Sequence, residues 1–316
     1  MGRLGVGFCV VAGMLLAGAG AYAQKGDAMG HGRAVVTALP AHPTDPPVSI
    51  AAQQLKLKVN GKDATVTGWT QLRESNSPVE LVLLIDGSAR TNLGGQFSAI
   101  TGFVNEIPTN TKIAIAYMEE GRAAMAGPLS SDPAQVLQGL RMPAGMAGSN
   151  GSPYFCLSDL AKNWPSRDGM ARREVVMITD GVDEYNPRYD PDDPDVQQAI
   201  TDAVHAGLVV YALYWHDQGA MDRIGGVQNG GQNLLVAVTE ATGGIDFWEG
   251  TGNPVSFEPY FQNLRIRLRS QYALTFSAPL RGRPAAEQVQ LKAAVPGAKI
   301  DAPQQVWVNA GGGAEN

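Results

Sequence analysis

The segment Val79-Glu80-Leu81-Val82-Leu83-Leu84-Ile85-Asp86-Gly87-Ser88-Ala89-Arg90 contains the two signals that decide the fold. Its first part, 79–85, is almost continuously apolar, which is typical of a parallel strand covered on both faces. Its second part begins at Asp86 and changes at once to small and polar residues, so the strand ends there. In open α/β sheets, ligands bind at the carboxyl ends of the strands. The segment therefore predicts a buried central strand with a polar site at its end.

Strand and helix patterns alternate after this segment. Leu93, Phe97, Ile100, Val104 and Ile107 recur at spacings of three and four, which predicts one face of a helix. Further strands are predicted at 113–117, 174–179 and 208–215, with an antiparallel edge strand at 125–129 and a weak strand at 246–248; helices are predicted to begin at Pro133, Pro153 and Pro194 and to cover 234–242 and 257–268. This alternation predicts an α/β domain over residues 77–269, built as a doubly wound, mainly parallel, Rossmann-like sheet.

The segments on either side of this domain have the period of antiparallel strands. In residues 50–76, apolar and polar residues alternate on both sides of Asn60-Gly61, which predicts a β-hairpin because both turn residues must accept positive φ. Residues 270–309 alternate in the same way. Together the two segments predict a small flanking antiparallel β unit. The Gly-rich residues 310–316 are expected to form a frayed tail.

The amino terminus has the features of an export signal. Arg3 precedes the apolar run 6–16, and small residues follow as far as Ala21-Tyr22-Ala23. This pattern predicts a secretory signal peptide, residues 1–23, cleaved after Ala23, and a secreted or periplasmic protein. The alternative is a retained membrane anchor, for which the run is shorter than the roughly 20 apolar residues that a spanning helix needs. Residues 24–49, rich in Gly, His, Pro and Ala, are interpreted as a disordered tether.

Composition excludes several classes of protein. The net charge is −6 and no cluster of Lys or Arg stands out, which argues against a nucleic-acid partner. No second segment is apolar enough to span a membrane. The two cysteines are Cys9, within the signal, and Cys156, so the mature chain cannot form an internal disulfide. Cys156 is predicted to be a small buried apolar residue, and His216, after a strand, to be structural.

Two aspartates follow predicted parallel strands that lie far apart in the chain. Asp86 and Ser88 follow the strand at 79–85, and Asp180 follows the strand at 174–179. Because the carboxyl ends of parallel strands meet at one edge of a sheet, we expect these side chains to lie close together. Carboxylates and hydroxyls are hard oxygen ligands of the kind that bind Mg²⁺ or Ca²⁺.

On these residues, the chain resembles the von Willebrand factor type A domain, in particular the bacterial group of VWFA-related domain proteins. That family has a metal-ion-dependent adhesion site with an Asp-x-Ser-x-Ser signature after the first strand, a later Thr and a later Asp. Asp86 and Ser88 match the first two positions, Ser152 takes the place of the Thr, and Asp180 matches the last Asp. The resemblance covers roughly residues 78–250 and implies a binding or adhesion module.

The third position of the signature departs from the family, because Arg90 stands where the family has Ser. A guanidinium is always charged and only donates hydrogen bonds, so it cannot ligate a cation. In one reading Arg90 replaces the ion and pairs with Asp86 or Asp180, which makes the site degenerate. In the other it points away, and Asp86, Ser88, Ser152, Asp180 and waters hold a Mg²⁺ or Ca²⁺.

The loop 183–195 is a second candidate region, with six carboxylates beside the predicted site. A Ca²⁺-stiffened recognition loop and a solvated connection are both compatible with it, and the absence of regular ligand spacing favours the solvated connection. As a surface for protein contacts the loop is more credible, because loops at this edge of a sheet commonly carry function. Asp193 is expected to cap the helix that begins at Pro194.

The sequence thus predicts an exported, non-enzymatic module that binds a protein partner through the edge bearing Asp86 and Asp180. The alternative is a metal-dependent hydrolase, phosphatase-like, with Asp86 as nucleophile and Asp180 on Mg²⁺. The chain contains no G-x-S-x-G, H-E-x-x-H or P-loop motif, which favours the binding module.

Overall fold

The computed structural model describes residues 1–2, 29–42, 45, 48–73, 75, 77–87, 89, 93–145, 151–186, 190, 192–216, 227–248, 252–280 and 282–310. Ser88, Arg90, the predicted tail beyond residue 310 and all of the predicted signal peptide except its first two residues lie outside these ranges. No helix in the described part of the chain is both long enough and apolar enough to cross a membrane.

The described chain forms two structural units, an α/β domain and an antiparallel β-barrel. The strands are β1 (Met29–Pro40), β2 (Leu55–Val59), β3 (Lys62–Gln71), β4 (Val79–Asp86), β5 (Thr111–Glu119), β6 (Arg122–Met125), β7 (Arg172–Thr179), β8 (Leu208–Tyr214), β9 (Asp246–Phe247), β10 (Gln271–Pro279), β11 (Ala285–Ala293), β12 (Ala298–Asp301) and β13 (Gln305–Ala310). The helices are α1 (Phe97–Asn105), α2 (Pro133–Leu137), α3 (Pro153–Lys162), α4 (Pro194–His205), α5 (Val227–Thr242) and α6 (Glu258–Arg269).

The α/β domain contains a six-stranded sheet in the order β6-β5-β4-β7-β8-β9. All neighbouring strands are parallel except β6, which runs antiparallel to β5 at the sheet edge. The chain winds outward from β4 in one direction through β5 and β6, then returns to the other side of β4 through β7, β8 and β9. This order confirms the predicted doubly wound sheet, including its antiparallel edge strand.

Two apolar cores cover the faces of this sheet. Alternate strand residues such as Leu83 pack under α1, α2 and α6, and the intervening residues such as Leu84 pack under α3, α4 and α5. Strand β4 is buried at every position, as its unbroken apolar sequence predicts. Three helices begin as the sequence indicates: the side chains of Asp132, Ser152 and Asp193 accept from amides in the first turns of α2, α3 and α4, and Pro stands at each start.

The flanking segments form a barrel that is larger than the predicted small unit. Strands β1, β10, β3, β2, β11 and β13 pair in that order, and β13 pairs back to β1, so the ring of antiparallel strands closes. The ring is lined by apolar side chains including Val36, Leu57, Phe276 and Val308. The hairpin turn at Asn60-Gly61 has positive φ at both residues, as predicted.

The interpretation of residues 24–49 as a disordered tether is wrong for 29–40, which form β1. Inward and outward positions alternate along β1, and its glycines point inward. A Cβ at Gly32 would lie 2.3 Å from the Phe276 ring, and one at Gly30 would lie 2.6 Å from the Val308 side chain. The glycines therefore make room for large partners within the barrel, although in the sequence they look like those of a flexible linker.

The α/β domain is inserted into the barrel between β3 and β10. These two strands are antiparallel neighbours, with Gln71 opposite Tyr272, so the chain leaves and re-enters the barrel at one place. We call the ends of β4, β7 and β8, where Asp86, Asp180 and His216 lie, the carboxyl edge of the α/β sheet. The opposite end, where β4, β5 and β7 begin, is the amino edge.

Candidate functional site

The carboxyl edge brings together the two aspartates predicted from the sequence. Asp86 is the last residue of β4, and Asp180 directly follows β7. The two strands are parallel neighbours with Ile85 opposite Ile178, so their ends are adjacent. Strand β4 is the first strand of the domain and the winding reverses between it and β7, which makes this the topological switch point of the sheet. Such a crevice is where ligands bind in open α/β sheets.

Asp86 is held by a hydroxyl that sequence reasoning missed. Its side chain is almost fully buried, at 2% exposure, and Oδ2 accepts a hydrogen bond of 2.6 Å from Thr179 Oγ1. Thr179 in turn accepts from the Gly181 amide at 3.2 Å. The pairing of β4 with β7 could have predicted this contact. Ile85 lies opposite Ile178, so the residues that follow them, Asp86 and Thr179, are also neighbours.

Asp180 is more accessible and lies beside a histidine. Its Oδ1 accepts from the Val182 amide at 2.9 Å, and Oδ2 lies 3.7 Å from His216 Nδ1, an ion pair when the imidazole is protonated. The sequence suggested only a structural role for His216. Its place just past the end of β8 was the available signal, because β8 adjoins β7 in the parallel sheet.

Ser152 lies at the first turn of α3 and contacts a further aspartate. Its fully buried hydroxyl donates to Asp183 Oδ2 at 2.9 Å and accepts from the amides of Tyr154 and Phe155 at 3.3 and 3.4 Å. Both lone pairs of the hydroxyl are thus occupied by helix capping. A role for Ser152 as a metal ligand stays a prediction, and it would compete with these two bonds.

Two further carboxyl groups lie close enough to affect each other. Burial raises the pKa of Asp183 above its ordinary value. The pKa of Glu184 is raised by burial and, in decreasing order, by the charges of Asp180, Asp86 and Asp183. The edge therefore concentrates negative charge in a partly desolvated place, where a cation would be attracted and protons are bound more tightly.

The described part of the acidic loop 183–195 is organised by capping and turns. Carboxylate oxygens of Asp183, Asp193 and Asp195 lie within 4.8 Å of one another. Asp193 caps α4 as predicted, accepting from the amides of Asp195 at 2.8 Å and Val196 at 3.3 Å. Residues 187–189 and 191 lie outside the described residues. The solvated connection, which the sequence favours over a Ca²⁺-stiffened loop, stays a prediction.

The floor beneath the site is apolar and rigidly linked to it. The buried Tyr154 hydroxyl donates to the Gly181 carbonyl at 2.7 Å, which ties α3 to the loop after β7. Cys156 forms no disulfide and is fully buried, as the sequence predicted. Burial raises its pKa, and the charges of Asp86 and Asp159 add to the effect. The thiol is therefore protonated and unreactive at neutral pH.

The residues at the carboxyl edge suit a hard divalent cation in their chemistry. Asp86, Asp180 and Glu184 supply carboxylate oxygens, the ligand type that Mg²⁺ and Ca²⁺ prefer. After burial, the charges of Asp180 and Asp86 contribute to the raised pKa of Glu184, as expected for like charges that lie close together. Ser88 and Arg90, on which the two sequence-based readings of the site depend, lie outside the described residues.

Comparison with known proteins finds similar chains among solved structures. No protein-family model matches the chain, and no curated protein matches it. Solved structures similar to it include proximal thread matrix protein 1 of the mussel byssus with a zinc occupied MIDAS motif, at 12% identity and a TM-score of 0.44, over 66% of this chain and 50% of that one. The pilus adhesin SpaC of Lactobacillus rhamnosus GG gives 10% identity and a TM-score of 0.45, over 85% and 49%. The VWA domain of SpRpn10 gives 10% and 0.40, over 61% and 98%.

The α/β domain is von Willebrand factor type A-like in its fold. The strand order around β4 and the helices on both faces agree with the resemblance drawn from Asp86 and Asp180. The chain spans about half the length of the mussel protein and of the pilus adhesin.

Proposed function

We propose that this protein is an exported, non-enzymatic binding module that engages a protein partner through the carboxyl edge of its α/β sheet. The observation that carries the proposal is the meeting of Asp86 and Asp180 at the switch point of the sheet. Paired acids at such a place suit recognition through a divalent cation rather than a purely structural role.

Exposed aromatic side chains at the same edge favour a protein as the partner. Tyr185, in the loop after β7, is 67% exposed and packs against Phe155 with ring centroids 5.5 Å apart. Trp248 directly follows β9, which runs parallel to β8, and is 40% exposed. Tyrosine and tryptophan are enriched in protein interfaces because they bury a large area at a small cost in conformational entropy.

Asp86 and Asp180 would hold the cation, with Glu184 adding negative charge nearby. A bound divalent cation supplies a Lewis-acidic centre that can accept an oxygen ligand from a partner. The chain's own groups keep the site in place: Thr179 orients Asp86, the Val182 amide and His216 contact Asp180, and Ser152 holds Asp183. These contacts preorganise the edge before a partner arrives.

Calorimetric titration with Mg²⁺, Ca²⁺ and Mn²⁺ tests the proposal. We expect saturable binding of at least one ion to the wild type and its loss in Asp86→Asn, because this change removes a ligand charge but keeps the side-chain shape. Asp63→Asn is the matched control, since Asp63 lies on β3 with its side chain 91% exposed, and it should leave binding unchanged.

Two results would contradict the proposal. Absence of heat with all three ions would remove its metal-dependent part. Turnover of a generic phosphate ester that disappears in Asp86→Asn would instead favour the hydrolase that the sequence left as an alternative.

A further inference from the structure

We propose that a cleft at the amino edge, between the α/β domain and the chain that joins it to the barrel, binds an amphipathic carboxylate: an apolar chain with one anionic head group. The cleft has a volume of about 400 Å³. Small-molecule sites commonly have volumes of about 300–1,000 Å³, with mainly apolar walls and a few placed polar groups. This cleft lies at the end of the sheet opposite to Asp86 and Asp180, so the inference is independent of the proposed function.

The walls of the cleft are apolar. Leu72 follows β3, Val79 begins β4, Ile107 follows α1 and Leu268 lies near the end of α6, and all four line the cleft. Leu72, Val79 and Leu268 are buried and Ile107 is half-buried. They come from segments far apart in the sequence, so the surface exists only in the folded protein. An alkyl chain placed against them would be removed from water, which is favourable at about 25 cal/mol per Å².

Among the described residues that line the cleft, the charged ones are arginines, at positions 73, 172, 265 and 269. Arg265 is already engaged, since its guanidinium lies 3.0 Å from Glu106 and 3.0 Å from Glu258. Arg269 is exposed, and no carboxylate of the described residues pairs with it. A guanidinium matches a carboxylate in shape and charge, so the head group that fits this lining is an anion.

Arg172 gives an independent indication of a ligand. It lies at the start of β7, is 4% exposed, and its Nη1 donates to the Leu268 carbonyl at 2.9 Å and to Gln271 Oε1. Its Nε is buried and has no hydrogen-bond partner among the described residues. A buried donor without an acceptor is costly, and an anionic oxygen in the cleft would supply the acceptor.

Arg73 donates to Gln71 Oε1 at 2.9 and 3.3 Å. The Nε of Arg172 and the guanidinium of Arg269 therefore define the head-group position. Arg172 lies on the inner wall, and Arg269, one residue after Leu268, lies at the solvent-exposed part of the lining. A carboxylate between them would contact one buried and one accessible guanidinium, and the apolar chain would run along Leu72, Val79 and Ile107. The same cleft would bind a head group without a tail, or a tail without a head group, much less well.

Titration of the full chain with dodecanoate, below its aggregation concentration, tests this site. We expect one saturable site per chain, at least about tenfold weaker binding of the neutral dodecanol, and no measurable binding of acetate. Arg269→Gln should weaken dodecanoate binding at least about tenfold without affecting the fold, because Arg269 is exposed. Ile107→Trp should abolish binding by filling the cleft.

Arg122→Gln is the matched control, since Arg122 is an exposed arginine on β6 of the same domain, and it should bind dodecanoate as the wild type does. Absence of dodecanoate binding would overturn the proposal. Equal binding of dodecanol would overturn the anionic head group. Binding that persists in both Arg269→Gln and Ile107→Trp, each with wild-type circular dichroism, would show that the ligand lies elsewhere.

Discussion

The two edges of the α/β sheet differ in their charged groups and in their neighbours. The carboxyl edge carries Asp86, the last residue of β4, and Asp180 and Glu184 in the loop after β7. The amino edge collects arginines such as Arg172, where the domain joins the barrel. The comparison shows that the two edges of the sheet differ in role. One edge concentrates groups suited to a cation and a partner. The other edge lies where the α/β domain joins the barrel and has a cleft beside it.

The polar groups are satisfied differently at the two edges. At the carboxyl edge, the Thr179 hydroxyl of the neighbouring strand holds Asp86, and the Val182 amide, two residues along the chain, holds Asp180. At the amino edge, side chains from different elements contact one another: Arg172 donates to Gln271, and Gln271 donates to the Tyr211 hydroxyl at 3.2 Å. Glu174 lies fully buried nearby, and burial raises its pKa to about 7 even though the charge of Arg172 opposes the rise.

The largest effect is expected at the amino edge, in Arg172→Leu. This change removes the hydrogen bonds to the Leu268 carbonyl and Gln271 and the positive charge that opposes the raised pKa of Glu174. Each buried acceptor left without a donor costs about 1–3 kcal/mol, so the loss should be at least about 3 kcal/mol. Urea unfolding would measure it. Arg173→Leu is the control, because Arg173 is half-buried and should cost about 1 kcal/mol. Equal losses in the two variants would show that Arg172 does not stabilise this edge.

The next effect is a pH dependence caused by Glu174. A folded-state pKa of about 7, above the ordinary 4.5, means that the folded state binds the proton more tightly than the unfolded state. The free energy of unfolding should therefore fall by at most about 3 kcal/mol, from this group, as the pH rises from about 4.5 to about 7. Above about pH 7 this contribution should no longer change.

Unfolding free energies measured across this pH range in wild type and in Glu174→Gln would isolate the contribution. Asp183 and Glu184 at the carboxyl edge also have raised pKa values and add slope in the same direction. Subtracting the unfolding free energy of Glu174→Gln from that of the wild type at each pH removes the contribution of Asp183 and Glu184. An unchanged slope in Glu174→Gln would place the pH sensitivity at the carboxyl edge instead.

The smallest effect compares two helix caps. Ser152→Ala removes the cap of α3 and the hydrogen bond to Asp183, and should cost about 1–2 kcal/mol in thermal or urea unfolding. Asp132→Ala removes the exposed cap of α2, whose carboxylate accepts from Ala134 at 3.0 Å, and should cost about 1 kcal/mol or less. If Ser152→Ala costs no more than Asp132→Ala, the contact with Asp183 contributes nothing to stability.

The sequence predicted the features that depend on local pattern or on regular strand pairing. The apolar run ending at Asp86 and the similar run ending at Asp180 were sufficient to place both acids at one edge, because parallel strands end together. Asp193 was predicted as a cap because it precedes a Pro-initiated helix. Each of these signals lies within a few residues of the feature that it predicts.

The features that sequence reasoning missed depend on distant partners. Strand β1 contains glycines whose sequence pattern resembles that of a flexible linker. Only the position of Phe276, far along the chain, explains why Gly32 must lack a side chain. The contact between His216 and Asp180 likewise requires knowing that β8 adjoins β7. Closure of the barrel depends on pairing between its first and last strands, which no local pattern specifies.

The insertion of the α/β domain into the barrel has a mechanical consequence. Gly30 lies opposite Ala310, so the two ends of the described barrel are side by side, and the two attachments of the inserted domain are also side by side at Gln71 and Tyr272. A pulling force applied between the ends would be carried by the hydrogen bonds between β1 and β13. The inserted domain would not carry this force, so its carboxyl edge would keep its shape while the barrel is under tension.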